Sequence, residues 1–562
     1  MSERGRRAEG EEENARHQGA RLTIKVPLLL NIFPVFSLPL LCALLRPGAI
    51  GVCIHDVVIV GGGPCGLAVV SRLSERIPAA NFSDDEHQRY HWIRRHRDQA
   101  GIKHYKTGAE ACRKQCTSSA VGPELDLLVL DATGDRWMAR WDYLFKTFDI
   151  SHLRSPMFFH VDPAERDGLL AYTYRNQRSN ELTELRGCVG KELSKHQRKK
   201  RKRPGRQPRT EPTVDERDRN DYLAPSTPLF SAHCGCLIDR YNLRQGVVRQ
   251  EKVDDIRYGY LDPASETDKV FTVQTDKDTH YARVVVLAVG GNPPQIPDMP
   301  TEGTDAVTHA MQIKEIPSPR VRAKLAARLP ANIVIVGGGL TSAQLADLAI
   351  RRGVTNVWLL MRGSLKVKPF DVGLEWVGKF RNFEQAAFWS ADSVEERWEK
   401  IMSARNGGSV TPQYKKILEW YRWDPVSMTW EVLLPGENQT LPRIDHIYFA
   451  TGVQSNFERL PFLRSIYSEY PINSCGGLPC ITDNMAWRDD APLFIAGRLA
   501  ALQLGPGAPN LIGARIGAEG IAWSVQDVLG ARDSGDYTDT KNREFDYLTA
   551  RGSRYDALAE AE

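Results

Sequence analysis

The chain has 562 residues, 42% of them hydrophobic and 26% charged. That length and composition bury more than one core and set two domains as the natural division. Lys and Arg number 74 against 70 Asp and Glu, a formal net charge of +4, so no global field draws the molecule to polyanions and no nucleic-acid partner is expected. Ten cysteines lie without the dense spacing of a secreted disulfide scaffold, which disfavours a disulfide-stapled fold and points to a reducing compartment.

Residues 1–51 form an N-terminal extension. Within it Val26 to Leu45 runs apolar between Lys25 and Arg46, long enough to span a bilayer. Pro27, Asn31, Pro34 and Pro39 interrupt the run. The segment reads as an anchor, an uncleaved signal or a misassigned start. Localisation is therefore open between cytoplasmic and membrane-associated, with 26–45 as the segment that would touch a membrane.

The first domain is expected over 52–315. His55 to Val60 (HDVVIV) is a short β-branched run, followed by a helical stretch from Pro64 to Glu75, the opening of a doubly wound sheet. Between them Gly61-Gly62-Gly63-Pro64-Cys65-Gly66 satisfies the G-x-G-x-x-G turn. Gly61 permits the turn, Gly63 lets backbone approach a pyrophosphate, and Gly66 lets the helix pack on the sheet. The helix N-terminus then faces the phosphates.

The ribose-binding acid expected at the end of the second strand is Asp131, in LLVLDATGDRW. It arrives well beyond the usual gap of about 20 residues, which requires residues 81–124 to loop out as an insertion. A second insertion is expected over 189–220. His87, His91, Cys112 and Cys116 in the first insertion have ligand-like spacings but match no established zinc pattern, and no metal is assigned. The basic run Lys199 to Arg203 in the second reads as a solvated loop or as a contact for an import receptor or phosphates.

A second dinucleotide domain is expected over 330–450. Ala331 to Val336 (ANIVIV) repeats the first pattern and leads into Gly337-Gly338-Gly339-Leu340-Thr341-Ser342, with Ser342 where the third glycine would stand. Beyond the next strand, Val357 to Leu360, comes Met361-Arg362 in place of an acid. An acid there would repel a 2′-phosphate, whereas Arg362, with Lys366 and Lys368 nearby, would pair with it, so NADPH is preferred over NADH. Ile447 to Phe449 and the turn Ala450-Thr451-Gly452 carry the chain back to the first domain over 451–530. Residues 531–562 are a polar tail.

The predicted fold class is thus α/β, two doubly wound Rossmann-like domains with the second inserted in the first. No second cysteine follows Cys65 at short spacing, which disfavours a dithiol redox centre.

The turns GGGPCG and GGGLTS, the LLVLDATGDRW segment and the ATG turn together resemble the two-dinucleotide-binding-domain flavoproteins. Among these they resemble the flavin-dependent monooxygenases, including the N-hydroxylating ornithine type, over about Val52 to Val528. The resemblance implies FAD at the first turn (Gly61, Gly63, Pro64, Cys65, Gly66, Asp131) and NADPH at the second (Gly337, Gly339, Ser342, Arg362), which makes the two an FAD domain with an inserted NADPH domain. It also implies that Trp137 to Pro163 passes near the flavin, with Trp137 at the cofactor and His152, Arg154 and His160 as candidates to touch flavin or substrate, or else members of a packed loop. Thr451 and Gly452, and then Gly497, Asn510 and Leu511, are placed at the cofactor. Many relatives carry Asp after that last glycine, where this chain has Arg498. The His-Ser pair that such proteins place near the nicotinamide has only Thr308-His309-Ala310-Met311 as a counterpart, with His309 as the candidate and Ala310 departing from the pattern.

The implied activity is an FAD- and NADPH-dependent monooxygenase acting with O2 on a small nucleophilic, amine-type substrate. The alternatives are an NADPH-dependent flavin reductase or oxidase without oxygen insertion, and a non-catalytic regulatory flavoprotein similar to the oxidative-stress growth inhibitors.

Overall fold

The computed structural model describes most of residues 53–533. Outside the description lie residues 1–52, 89–101, 112–124, 191–213, 262–268, 297–305, 423–442 and 534–562, with several shorter stretches. The apolar run 26–45, the basic run 199–203, and His91, Cys112 and Cys116 all fall there. Among the described residues no helix is long and apolar enough to cross a membrane.

In chain order, β1 (Ile54–Val60) leads through the first glycine turn into α1 (Pro64–Ser74). Pro64 stands in the first turn of α1, where its fixed φ suits the helix and its missing N–H costs nothing. Then come β2 (Leu127–Asp131), α2 (Ala139–Thr147) and α3 (Thr227–Arg240). The strands β3 (Val248–Gln250), β4 (Val253–Gly259), β5 (Val270–Thr275) and β6 (Thr279–Leu287) follow. The second unit of the pattern is β7 (Val307–His309), β8 (Asn332–Val336), α4 (Leu340–Arg351), β9 (Asn356–Leu360), α5 (Val394–Arg405) and β10 (His446–Phe449). The chain closes with β11 (Ala486–Arg488), β12 (Ala491–Ile495) and the long α6 (Leu511–Asp533).

The first sheet has the order β4-β5-β6-β1-β2-β3, with β12 also pairing β6 and β11 pairing β12. Strands β3, β2, β1, β6 and β12 run parallel, whereas β4, β5 and β6 form an antiparallel meander. Residues Val57, Val58, Ile59, Val284, Val285 and Val286 are fully buried, as a parallel strand covered on both faces requires. On one face α1 packs against α6. The buried Arg72 of α1 forks onto Glu519 of α6, with Nε to Oε2 at 2.6 Å and Nη2 to Oε1 at 3.1 Å.

The second sheet is all parallel, order β7-β10-β8-β9. In both sheets the strand that carries a glycine turn lies between its sequence successor on one side and a later strand on the other. Strand β1 lies between β2 and β6, and β8 lies between β9 and β10. Those are topological switch points, where open α/β sheets hold their ligands.

Candidate cofactor sites at two glycine turns

The two turns are built by the same backbone bonds. At the first, Gly61 N–H donates to Leu130 C=O at 2.8 Å and Ala288 N–H to Val60 C=O at 2.9 Å. At the second, Gly337 N–H donates to Leu360 C=O at 2.9 Å and Ala450 N–H to Val336 C=O at 2.8 Å. Each turn is clamped between the ends of both flanking strands. Gly61 adopts φ +116°, and a Cβ there would lie 2.6 Å from the Ala288 oxygen. Gly337 adopts φ +151°, with the Ala450 oxygen 2.5 Å from such a Cβ. Neither position accepts a side chain.

The third positions differ. A Cβ on Gly66 would lie 2.0 Å from the Gly61 oxygen, whereas Ser342 is accommodated and its hydroxyl donates to Gly339 C=O at 2.6 Å.

Gly63 caps α1, and a Cβ built on it meets no atom within 4 Å. This is open space against the N–H groups of a helix start, the shape and polarity a pyrophosphate needs. Asp131 closes one side of the turn. Its Oδ2 accepts Gly62 N–H at 2.8 Å, and Oδ1 accepts Thr133 N–H at 2.7 Å and Gly134 N–H at 3.3 Å. The acid beyond the insertion is thereby brought to the glycine turn, and Gly61 to Gly66 with Asp131 fit a dinucleotide. Met138, unmarked in the sequence reading, completes the clasp: its N–H donates to Gly62 C=O at 2.7 Å from a left-handed φ of 62°. Trp137 is buried, its indole N–H on Leu243 C=O at 2.9 Å.

At the second turn Arg362 is exposed and makes no hydrogen bond or ion pair among the described residues, which suits a guanidinium that awaits a phosphate. Lys366 and Lys368 are used otherwise. The Lys366 ammonium donates to Asn406 C=O and Oδ1, both at 2.9 Å, and Lys368 to Arg405 C=O at 3.1 Å. They cap the C-terminus of α5, where a helix favours cations. Of the three cations, Arg362 alone keeps its charge without a partner among the described residues. The segment Asn406-Gly407-Gly408-Ser409 that follows α5 lies over the second turn, so close that a Cβ on Gly408 would be 3.1 Å from Gly339 Cα.

The chain's last part closes on the first turn. Gly497 takes φ +72°, and a Cβ there would stand 2.9 Å from the Cys65 sulfur. Burial pushes the Cys65 thiol up to about 11, so it remains protonated at neutral pH and serves as packing. Asn510 precedes Leu511, the first residue of α6, and its side-chain amide donates to Asp371 Oδ1 at 3.2 Å. The other Asp371 oxygen accepts from Arg405 at 2.7 Å, and Arg405 also donates to Pro506 C=O at 2.8 Å. Arg498 is half-buried, with Ser455 Oγ at 3.4 Å. Burial first, and then the Arg405 charge, lower its pKa.

Arg154 crosses to residues 368–370 and 409. Its guanidinium donates to the carbonyls of Lys368 at 2.9 Å, Pro369 at 3.0 Å, Phe370 at 2.7 Å and Ser409 at 3.4 Å, and to Ser409 Oγ at 2.9 Å. Desolvation lowers its pKa to about 10. With Arg405, Arg498 and Lys368 it forms a cation-rich seam around Asp371, with the Glu375 charge also acting on Lys368.

The histidines separate. His309 is buried, and its Nε2 pairs with Gly452 C=O at 2.9 Å while Nδ1 accepts Met311 N–H at 3.2 Å. Burial lowers its pKa, so the neutral ring holds the return turn. Gln295 N–H donates to the same Gly452 oxygen at 3.1 Å, and the Thr451 hydroxyl donates to Gln295 C=O. His160 is brought to Arg515, Asp162 and Arg166, with Nε2 on Arg166 C=O at 2.8 Å. Burial, and then the Arg515 charge, hold its pKa well below the imidazole range. His152 pairs with Ser151 Oγ at 3.1 Å and bridges to Ser226, apart from both turns' hydrogen bonds.

Comparison with known proteins adds an independent finding. Residues 242–399 match the family model described as L-lysine 6-monooxygenase/L-ornithine 5-monooxygenase. A search of the curated proteins finds no match. Among solved structures, an ornithine N-hydroxylase from Kutzneria sp. 744 superposes with a TM-score of 0.53 at 15% identity, covering 86% of this chain and 100% of that one. The FAD-bound cadaverine monooxygenase of the desferrioxamine biosynthetic pathway from Erwinia amylovora gives 0.52 at 13% identity, covering 85% and 95%. The chain therefore has the doubly wound, two-dinucleotide-domain fold of these flavoproteins, and over residues 242–399 it resembles the lysine and ornithine monooxygenases among them.

Proposed function

We propose that the chain is an FAD-dependent oxidoreductase that uses NADPH and acts as a monooxygenase on a small amine-type substrate. The observation that carries the cofactor assignment is the pair of switch-point turns, one flanked by the carboxylate of Asp131 and the other by the exposed guanidinium of Arg362, unpaired among the described residues. The amine assignment is supported by the family match over 242–399 and by the names of the two structural neighbours.

FAD, held at the first turn, would supply hydride acceptance from NADPH and reduction of O2, so that amine, O2, NADPH and one proton give hydroxylamine, NADP+ and water. The protein's own groups bind and position. Gly63 and the start of α1 receive the pyrophosphate, Asp131 accepts from ribose hydroxyls, and Arg362 pairs with the 2′-phosphate. Neutral His309 fixes the Thr451-Gly452 turn, and so acts as a positioning residue. The Cys65 thiol packs on Gly497 and takes no redox part.

The test is NADPH oxidation by purified, flavin-loaded protein with ornithine, lysine and cadaverine, with hydroxylamine product and hydrogen peroxide both quantified. Hydroxylated amine in near one-to-one ratio to NADPH is the expected result. Stoichiometric peroxide with no hydroxylated product across the panel would overturn it in favour of an oxidase.

A further inference from the structure

At the far end of the first sheet from the glycine turns, three side chains with metal-binding atoms converge. Cys53 immediately precedes β1, His55 is its second residue, and Asp126 immediately precedes β2. Positions 53 and 55 project to the same side of the strand because side chains alternate, and the parallel pairing of β1 with β2 sets Asp126 beside them. The sulfur, one imidazole nitrogen and one carboxylate oxygen all lie within 4.8 Å of one another. His55 Nδ1 stands 2.9 Å from Asp126 Oδ2. Cys53 is exposed and free of any disulfide.

We propose that Cys53, His55 and Asp126 bind a zinc-class divalent cation. One thiolate, one imidazole and one carboxylate form a mixed soft and borderline donor set, which suits zinc and lacks the oxygen ligands that magnesium or calcium need. Two ligands on a tetrahedral zinc at about 2.0–2.1 Å lie about 3.3 Å apart, a few tenths of an ångström from the spacing that the His55–Asp126 hydrogen bond already holds. Binding displaces the thiol proton and any proton between His55 and Asp126 to solvent, with no change of oxidation state. Three protein ligands leave the fourth position to water.

The site stands apart from the first glycine turn. The seven residues of β1 separate it from the Gly61 turn by roughly 20 Å at the usual strand rise. Its metal would clamp the point at which the chain enters the core, tying the start of β1 to the start of β2. Sequence spacing hides such a site, since Asp126 is 71 positions from His55.

The test is a titration of the full-length protein with Co2+ under a non-thiol reductant, read as difference spectra against the metal-free protein, followed by displacement with Zn2+. A near-ultraviolet sulfur-to-cobalt band that Zn2+ abolishes is expected, together with a rise in melting temperature with Zn2+. Cys53→Ser, at an exposed position, should fold normally, lose the band and lose the Zn2+-dependent rise. His55→Gln should weaken binding by more than about tenfold, the scale reached even by loss of an outer-shell partner. The absence of a sulfur-to-cobalt band, or its survival in Cys53→Ser, would overturn the proposal. Neither outcome depends on whether the chain hydroxylates amines.

Discussion

Arg362 and His309 show how one side chain's surroundings decide its use. Arg362 has no partner among the described residues, which leaves its charge available to a ligand. Arg362→Asp replaces attraction to a 2′-phosphate by repulsion and removes a charge-assisted pair worth about 1.5–3 kcal/mol. NADP+ affinity should fall by roughly ten- to a hundredfold while NAD+ affinity changes little, as read by calorimetry. Equal loss for both nucleotides would place the phosphate elsewhere. His160, His309 and His446 are buried with depressed pKa values, His446 down to about 4, in each case first by desolvation. Their unfolded forms titrate near 6.5, so below that pH the unfolded chain takes up protons that the folded chain refuses. Stability is complete above about pH 6.5 and declines toward pH 4, by up to about 1.4 kcal/mol per pH unit for each group. Urea midpoints measured from pH 7.5 to 4.5 should show this slope, and it should be shallower in His446→Gln. A flat profile would remove the histidines from the acid sensitivity.

At the scale of elements, the glycine turns work because a helix start is pressed onto a strand end. Gly66→Ala puts a methyl group 2.0 Å from the Gly61 oxygen and must lift α1 from β1. Overpacking of this kind costs about 1–3 kcal/mol. The variant should melt lower and purify with little flavin, judged by the visible absorbance per protein. Full flavin content would mean that the turn tolerates displacement. Ser342→Gly should leave the second turn standing, since the Ser342 Cβ is already accommodated.

The elements around the turns were legible because they are short β-branched runs ending in glycines. The His55–Val60 expectation meets β1 at Ile54–Val60, and Ala331–Val336 meets β8 at Asn332–Val336. The meander of β4 and β5 was not legible, because charges in VDDIRYG and the residues between the strands break the apolar pattern, and its partner strand supplies the burial. Lys366 and Lys368 look like phosphate ligands in sequence. Only the fold brings the end of α5, some forty positions later, beneath them. Met138 carried no signal at all, since its role lies in its backbone N–H.

At the scale of the whole molecule, the Arg154 guanidinium ties the segment after α2 to the loops that follow β9 by five hydrogen bonds. Arg154→Met keeps much of the volume but strands several carbonyls, a loss of about 1–3 kcal/mol for each group left buried and unpaired. Bound flavin should persist, because no first-turn contact is touched. The melting temperature should fall, and the rate of flavin bleaching by NADPH in stopped flow should fall with it, since the residues 368–370 and 409 lose their anchor. A normal bleaching rate in a less stable protein would confine Arg154 to stability. The Asp371 bridge between Arg405 and Asn510 works in the same direction, joining the end of α5 to the start of α6.

The fork of Arg72 onto Glu519 joins positions 447 apart, and it has a consequence for biogenesis. On the ribosome the first glycine turn is made early, yet α1, which meets α3 on its way, lacks its cover by α6 until the C-terminal segment emerges. The second sheet, spanning Val307 to Phe449, can close while synthesis continues. A chain stalled short of Glu519 therefore leaves open the face of α1 that α6 covers, with Arg72 lacking its carboxylate.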